Sequence, residues 1–585
     1  MVPDIPTFAV DNGFSYRVPP ALLDQVMVGS VVRVPLAGRR VRGYVVGLKT
    51  EDEASGARKL REVRSVSSTV PVFTEAMLPS LRWAAAHYVA PLAGVLAKSA
   101  PPNLPKQPVP RQLPSIPPAG SPITRVAGSA QSEDPGIVQL LAGGGWGELI
   151  RRCVTGPLRA GRSALVVAPT AVEAARLADR LEGDLGRRVV RAADQDNAAL
   201  TAAWSRAATQ GGLVVVGTLR VIWWPVKDLS MICLVEEGRR GMKERQTPTV
   251  AAGTVARMRS PTEGLRLVLI GRAPTVDTLH EDAVIERIRG RLWARVELVD
   301  RTEDPPGGGL VAERVRVAIA STIRRDGRVF VFTHRRGYAP ASRCVSCRSL
   351  RSCPACGSRP GHRDTCPRCE AVLGPCPSCG GNRFEPLGAA VGRITETLRR
   401  LVGDGVGSVG SDRAVMVGTE RDLVEVPPVD LAVVVDADGL VRGTNYRSTE
   451  EALAVLARTA STLRRNGRCR MMLQTADTRH PVYEALQLGD PIPFLRDELV
   501  ARWRFSLPPC GEVMVVEVEG TEEAAVLDAA FAGADVYGPA RDSGRTRWIV
   551  QGRELREQKQ RLRAATGRLR DQGCKVRIDV DPREF

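Results

Sequence analysis

The sequence predicts a multidomain α/β protein with a β-rich N-terminal domain, two successive α/β lobes, a cysteine-rich insertion in the second lobe and a C-terminal α+β domain. Three observations lead to this prediction. Two series of short apolar runs alternate with helical stretches, as in parallel sheets that are buried on both faces. Four Cys-x-x-Cys pairs lie between residues 344 and 379. The chain has 585 residues, enough for several hydrophobic cores.

The cysteine pairs predict a metal site. Each pair can place two thiolates on one tight turn, and two pairs complete the tetrahedral sulfur shell that Zn²⁺ prefers. The eight cysteines are Cys344, Cys347, Cys353, Cys356, Cys366, Cys369, Cys376 and Cys379. They predict two zinc ions per chain. Disulfides and redox-active pairs are the alternatives, but the sequence has neither a secretory signal nor a thioredoxin-like βαβ context.

Composition points to a polyanionic partner. The formal net charge is +18 and the pI is near 9.8, and basic side chains that neutralise phosphates gain free energy by releasing counterions. Nearly all of the positive charge is arginine, which a GC-rich coding sequence would also produce. Hydrophobic residues make up 43% of the chain, which argues against global disorder. The sequence shows no run of about eighteen apolar residues, and we expect a cytoplasmic protein.

The N-terminal domain is expected over residues 1–105. Short alternating runs between residues 8 and 48 predict a small barrel or sheet. Phe14 and Tyr16 share one face of a strand close to several arginines, a pattern that is common in cores but also suits nucleic-acid binding. A helical stretch interrupted at Pro91 closes the domain, and a Pro-rich linker follows over residues 106–134.

The two lobes are expected over residues 135–300 and over 301–340 with 385–497. Apolar runs that predict strands of the first lobe are 164–169, 213–218, 230–236 and 265–271. Those of the second lobe are 328–334, 413–419, 431–438 and 468–475. The cysteine-rich insertion, residues 341–384, follows the first strand of the second lobe. Residues 498–585 are expected to form the C-terminal domain, with a highly charged helix over 551–572.

Several segments resemble a known family. They are FTHRRGYAP at 332–340 with the cysteines after it, GTLRVIWWP at 217–225, the Pro pair at 508–509 and IDVDP at 578–582. In these segments, and along nearly its whole length, the chain resembles the PriA family of bacterial primosomal replication-restart proteins, which are superfamily 2 DNA helicases. The resemblance implies two RecA-like helicase lobes. It also implies that the outer cysteine pairs share one zinc ion and the inner pairs the other.

The phosphoryl-transfer motifs of that family are altered. A P-loop needs Lys and Ser or Thr after its glycines, but here Gly147 is followed by Glu148 and Leu149. The metal-holding Asp of the next motif is missing, although Glu236 and Glu237 stand there. The coupling motif has become residues 271–275, and the arginine-finger segment has become residues 457–465. These departures predict that helicase action is lost. They also make ATP binding doubtful, because the side chains that usually contact the phosphates and the metal ion are missing.

The family's pocket for a DNA 3′ end maps onto Phe14, Ser15, Ala37 and Arg61. The resemblance implies an Asp at position 15, so end recognition should be weakened or altered. We expect a protein that binds forked or branched DNA and, with other primosome and replication proteins, helps reload the replication machinery without unwinding. The alternatives are an active ATP-dependent 3′-5′ DNA helicase with degenerate motifs and a zinc-ribbon RNA or transcription factor on an inactive helicase scaffold.

Overall fold

The computed structural model describes most of the chain. The described residues are 1–50, 60–68, 70–105, 136–193, 196–281, 283–288, 290–302, 304, 309–334, 341–355, 364–366, 371–387, 391–443, 445–520, 524–542 and 544–583. The chain divides into two compact units. The first contains Met1–Arg289 with Leu495–Phe585, and the second contains Gly290–Phe494. The Pro-rich linker and the RRGYAP segment lie outside the described residues.

The N-terminal domain opens with a four-stranded antiparallel sheet of order β1-β3-β2-β4. Its strands are β1 Val2–Pro3, β2 Val31–Leu36, β3 Arg39–Tyr44 and β4 Ser65–Val66. Ala37 and Gly38 have φ values of 45° and 77°, so a two-residue turn connects β2 to β3 with the twist that a hairpin needs. Helices α1 Leu78–His87 and α2 Leu92–Leu96 follow, separated at Pro91 as predicted.

The first lobe is built on a seven-stranded parallel sheet of order β11-β5-β10-β9-β6-β8-β7. Its strands are β5 Gly136–Leu141, β6 Ser163–Val167, β7 Val189–Ala192, β8 Val214–Gly217, β9 Leu229–Val235, β10 Arg266–Gly271 and β11 Val284–Arg287. Its helices are α3 Trp146–Arg159, α4 Ala171–Leu185, α5 Asn197–Thr209, α6 Ala252–Glu263 and α7 Val276–His280. Leu165 and Val167 of β6 pack into one core and Ala164 and Val166 into another, which explains the continuous apolar runs.

The second unit contains a six-stranded parallel sheet of order β12-β19-β18-β13-β17-β16. Its strands are β12 Arg295–Asp300, β13 Val329–Phe332, β16 Val406–Ser408, β17 Val415–Gly418, β18 Leu431–Val434 and β19 Arg470–Thr475. Its helices are α8 Glu313–Ile323, α9 Val391–Val402, α10 Asp438–Val441, α11 Ser448–Ala460 and α12 Pro481–Leu488. A separate hairpin, β14 Ala341–Cys344 with β15 Phe384–Leu387, brackets the cysteine-rich insertion.

One predicted boundary needs correction. The first lobe was expected to reach residue 300, but β12 pairs with β19 of the second sheet. The cysteine-rich insertion therefore follows the second strand of that sheet along the chain, not the first. The apolar pattern of β12 is short and interrupted by charge, which is why the sequence did not reveal it as a strand.

The C-terminal part contains a four-stranded antiparallel sheet of order β21-β22-β20-β23. Its elements are α13 Ile492–Arg504, β20 Glu512–Glu519, α14 Ala524–Phe531, β21 Asp535–Asp542, β22 Arg545–Gly552, α15 Arg556–Asp571 and β23 Lys575–Val580. The charged helix begins at residue 556 and not 551, because the first residues of the expected helix complete β22. Met514, Val516 and Trp548 share one core with Leu562 and Leu569 of α15.

Polar contacts tie the parts of the first unit together. Lys243 Nζ donates to Asp579 Oδ1 at 2.7 Å and to the carbonyl oxygens of Val580 and Asp581 at 2.7 and 2.6 Å. His87 Nε2 lies 3.4 Å from the Asp581 carboxylate. The C-terminal IDVDP segment therefore contacts both the first lobe and the N-terminal domain. Among the described residues, no helix has the length and apolar character needed to cross a membrane.

Candidate metal centre and nucleic-acid interface

Four of the eight cysteines converge on one point of the insertion. The Sγ atoms of Cys344, Cys347, Cys376 and Cys379 lie within 4.8 Å of one another. The Cys344–Cys379 and Cys347–Cys376 sulfur pairs are 3.5 and 3.6 Å apart. Four sulfurs around Zn²⁺ at about 2.3 Å per bond would be about 3.8 Å apart. The four free thiols are therefore close to a tetrahedral shell, and the cluster can hold a metal ion.

The two halves of this cluster repeat one backbone pattern. In the first, the N–H of Cys344 donates to the Ser349 carbonyl and the N–H of Arg348 donates to the Cys344 carbonyl. In the second, Cys376 and Gly380 make the equivalent bonds, to the carbonyls of Gly381 and Cys376. Arg348 and Gly380, which follow the second cysteine of each pair, have φ values of 62° and 72°. Each pair thus forms the same tight turn.

Gly381 and Ser349 lie against the sulfur atoms of the cluster. A Cβ on Gly381 would lie 3.2 Å from Cys344 Sγ, so a side chain there would press on the cluster. Ser349 Oγ lies 3.0 Å from Cys347 Sγ and 3.2 Å from Cys376 Sγ. Its hydrogen bond lowers the pKa of the Cys376 thiol to about 6. Sequence reasoning did not single out Ser349, because no spacing rule marks a hydroxyl that bridges two pairs.

The inner cysteines are described only in part. Cys353 and Cys366 are buried in one small cluster with Leu373. Cys356 and Cys369 lie outside the described residues. The second zinc ion therefore stays a prediction.

The P-loop position in the first lobe connects β5 to α3. Gly145 precedes the helix with φ 76°, and the Arg180 side chain lies where a Cβ on Gly147 would be. Glu148 accepts two hydrogen bonds from Arg151 and one from Arg152 at 2.7 to 2.8 Å. These bonds lower the pKa of the Glu148 carboxyl to about 2. Leu149 is 5% exposed in the lobe core, so neither residue offers the chemistry of a P-loop.

An arginine occupies the metal-binding side of the same site. Arg272, from the altered coupling motif, forms an ion pair with Glu236, and its guanidinium lies 4.9 Å from the Trp146 ring centroid. Arg239 Nη1 also lies 3.5 Å from Glu236 Oε2. These contacts place a positive side chain between the P-loop position and Glu236, where a nucleotide site would hold metal and phosphate. Sequence reasoning identified Glu236 but neither Trp146 nor Arg272 as its neighbours.

Glu237 is buried in a complete network. Its carboxylate accepts hydrogen bonds from Arg257 at 2.8 and 2.9 Å, from Thr275 Oγ1 at 2.7 Å and from Thr278 Oγ1. Burial raises the pKa of Glu237, but Arg257 and the threonines outweigh burial and lower this pKa below its usual value. Glu237 therefore acts as a structural anion in the lobe and does not face a ligand.

The arginine-finger segment in the second unit is also engaged internally. Arg458 is buried and its Nη1 lies 2.9 Å from Glu420 Oε1. Arg464 forms an ion pair with Asp430 at 2.7 Å. Both arginines therefore neutralise carboxylates of their own unit.

The predicted 3′-end residues are all exposed, with Phe14 at 42%. Ala37 lies in the hairpin turn between β2 and β3. Two contacts of intervening residues connect their segments: Tyr16 Oη donates to the Pro35 carbonyl, and the Arg17 N–H donates to the Arg61 carbonyl. Tyr16 packs on the domain core, so of the two aromatics only Phe14 is presented to solvent.

Arginines line one face of the same hairpin. Arg33 is paired with Arg42, and Arg40 with Pro35, in the β2–β3 register, so the three arginines point to one side. All three are exposed. Arg42 pairs with Asp4 at 3.1 Å, whereas Arg33 and Arg40 form no ion pair with a described residue. This arginine face can contact phosphates.

Comparisons with known proteins agree with this geometry. Residues 2–101 match the 3′DNA-binding domain (3′BD) of PriA. The replication restart protein PriA of Rickettsia conorii is 21% identical over an alignment that is 645 positions long and covers 97% of each chain. The probable PriA of Mycobacterium leprae is 25% identical, covering 91% of this chain and 89% of that protein. PriA of Synechocystis is 25% identical, and the alignment spans 70% of this chain but only 56% of that protein.

Among solved structures, RecG bound to a three-way DNA junction matches with a TM-score of 0.37 and 13% identity, over 62% of this chain and 43% of that chain. The match to the 3′DNA-binding domain and the alignments along nearly the whole chain show that this chain is similar to PriA replication restart proteins.

Proposed function

We propose that this protein binds forked or branched DNA and helps reload the replication machinery, together with other primosome and replication proteins, without unwinding DNA. The observation that carries the proposal is the N-terminal domain, which matches a 3′DNA-binding domain and exposes both Phe14 and the arginine face of the β2–β3 hairpin. An exposed aromatic ring can stack on a base while arginines contact the backbone. The proposed end-binding residues are Phe14, Ser15, Ala37 and Arg61.

The altered nucleotide site supports the proposed absence of unwinding. Phosphoryl transfer depends on positioning and on neutralising charge with Lys, Mg²⁺ and an arginine finger. In the described part of the first lobe, Glu148 is held by two arginines, and Glu236 is paired with Arg272. A triphosphate would have to displace Arg272 from both Glu236 and Trp146. The protein would then act as a DNA-binding and assembly factor located in the cytoplasm.

Zinc fits the cysteine cluster, because four thiolates are the donor set of a structural zinc site. Cys344, Cys347, Cys376 and Cys379 would hold one ion, and Cys353, Cys356, Cys366 and Cys369 the second. Each ion would stabilise the insertion and supply no catalytic chemistry, since a shell of four thiolates leaves no open position.

The proposal is tested by comparing forked DNA with plain duplex of equal length at two salt concentrations. We expect tighter binding to the fork. Arg33→Ala with Arg40→Ala should lower the salt slope by about 2, because each phosphate contact contributes about 0.9. The matched control is Arg324→Ala with Arg325→Ala, two exposed arginines at the end of α8, which should leave the slope unchanged. Equal affinity for fork and duplex would contradict the proposal, and tighter binding to RNA would favour the RNA-factor alternative.

A further inference from the structure

Three large aromatic side chains are exposed in the C-terminal part of the first unit. Trp503 is 65% exposed, Phe505 68% and Tyr537 57%. Val500, one turn before Trp503 on α13, is 49% exposed. Apart from Phe14, these three are the exposed large aromatics of the described residues. Such a concentration of apolar surface marks a binding site more often than chance exposure. We call Val500, Trp503, Arg504, Phe505 and Tyr537 the aromatic ridge.

The ridge is held rigidly. Arg502, next to Trp503 on α13, is 1% exposed, and its Nη1 donates to the Pro508 carbonyl at 3.4 Å. Ser506 has φ 49°, and the N–H of Leu507 donates back to the Arg502 carbonyl, which closes the helix with a left-handed cap. A Cβ on Gly511 would lie 2.1 Å from the Ser506 carbonyl oxygen. This close approach shows that the turn after Phe505 packs tightly against the chain that leads into β20.

The same turn is joined to the sheet that carries Tyr537. Gln551 Nε2 donates to the Phe505 carbonyl at 2.5 Å. Gln551 of β22 is paired with Asp535 of the edge strand β21. Because side chains two residues apart on a strand share a face, Tyr537 lies on the same face of the sheet as Gln551. Gln551 therefore joins the end of α13 to the strand pair that carries Tyr537, so the aromatic residues lie on adjoining segments.

Charge favours a nucleic-acid partner. Arg496, Val500 and Trp503 are spaced four and three residues apart and so form one stripe of α13. Arg504 lies between the two aromatic residues of the helix end. Arg496 and Arg504 are exposed and form no ion pair with a described residue. Asp497 and Asp535 are also exposed nearby, but neither interrupts the run Trp503-Arg504-Phe505.

We propose that the aromatic ridge binds single-stranded DNA, with bases stacked on Trp503, Phe505 and Tyr537 and a phosphate contacted by Arg504. Every base has a face that can stack on an aromatic ring, and such binding tolerates any sequence. Duplex DNA keeps these faces inside its own stack and cannot use the ridge. The inference rests on the proposed function, because a fork offers single-stranded arms beside its duplex.

The test measures binding of the full chain to a labelled oligo(dT) and to a duplex of the same length. Trp503→Ala with Phe505→Ala should weaken oligo(dT) binding about tenfold or more and leave duplex binding unchanged. Arg504→Ala should lower the salt slope for oligo(dT) by about 0.7. The matched control is Val317→Ala with Leu488→Ala, which removes exposed apolar side chains elsewhere (55% and 71% exposed) and should change neither affinity.

The results separate this inference from the proposed function. The preference of the wild-type protein for fork over duplex tests the proposed function. The ratio of variant to wild-type affinity for oligo(dT) tests whether the aromatic ridge binds single-stranded DNA. Unchanged oligo(dT) affinity in the Trp503→Ala, Phe505→Ala variant would overturn the inference even if fork binding persists. So would a wild-type dimer that this variant converts to monomers, because a second copy of the chain would then cover the ridge.

Discussion

At the scale of single residues, Arg272 of the altered coupling motif contacts both the P-loop position and Glu236 of the first lobe. The missing P-loop Lys and Thr were evident from the sequence, because a motif can be read position by position. The contact between Arg272 and Trp146 could not be predicted from the sequence, because the two residues are 126 positions apart and meet only in the folded lobe. Arg272 neutralises Glu236 and lies against Trp146. Glu236 at this site is therefore engaged in an ion pair within the lobe.

The protein is expected not to hydrolyse ATP. Glu236 is paired with Arg272 and Glu237 is buried against Arg257, so no carboxylate at this motif is free to hold Mg²⁺. The measurement is DNA-stimulated phosphate release by the wild-type protein and by Glu236→Ala and Glu237→Ala, each first shown to be folded. All three should remain at background. Turnover by the wild-type protein that disappears in Glu236→Ala would restore the helicase alternative.

Glu148 should make stability depend on acid pH. Its folded pKa of about 2 lies below its usual value near 4.5, so its stabilising effect is present above about pH 4.5 and is lost as the pH falls toward 2. Because the side chain is 29% exposed, solvent screening limits the effect to about 1 kcal/mol. Glu148→Gln should lower the free energy of unfolding at pH 7 and match the wild-type protein near pH 2.

The control for this prediction is Glu313→Gln, which alters a carboxylate that is 71% exposed beside Arg316. Denaturant unfolding should show little change for it at either pH. A Glu148→Gln variant as stable as the wild-type protein at pH 7 would mean that Arg151 and Arg152 gain nothing from the carboxylate.

At the scale of elements, the cysteine turns could be predicted well and the sheet boundaries less well. Cys-x-x-Cys spacing is local, and it predicted one tight turn for each pair. The structure adds that Arg348 adopts the same left-handed conformation as Gly380, which no sequence rule would assign to an arginine. Strand β12 was placed in the wrong lobe because its partner, β19, lies 170 or more residues away along the chain.

The two turns predict opposite effects of matched substitutions. Arg348→Gly should strengthen zinc retention, because it relieves a left-handed conformation that costs about 1 to 2 kcal/mol for a residue with a Cβ. Gly380→Ala should weaken retention by a similar amount. Zinc per chain is measured by elemental analysis after competition with a chelator, with two ions expected for the wild-type protein and one for Cys376→Ser. Equal retention by both turn variants would show that the turns do not limit binding.

At the scale of the whole molecule, the first unit depends on its last strand. Lys243 of the first lobe is 7% exposed at its side chain and reaches Asp579 and two carbonyls of the IDVDP segment. Burial raises the pKa of Asp581, but His87, Lys559 and Lys243 lower it below its usual value. IDVDP was noticed only as a family likeness. The sequence could not predict that this segment connects the C-terminal sheet to the first lobe and the N-terminal domain, because the residues that it contacts are distant along the chain.

The contact between Lys243 and Asp579 should be strongly coupled. Lys243→Met leaves Asp579 without its ammonium partner and removes two carbonyl hydrogen bonds, so the free energy of unfolding should fall by about 3 kcal/mol. Asp579→Asn should cost less, because Arg577 lies near the same carboxylate and Lys243 keeps its carbonyl acceptors. As a control, Lys227→Met changes an exposed lysine and should change the free energy of unfolding by less than about 0.5 kcal/mol.

Denaturant unfolding of the single and double variants gives the coupling energy between Lys243 and Asp579. A value near zero would mean that Lys243 acts through its carbonyl bonds alone, and that the IDVDP segment is held by backbone contacts and not by charge.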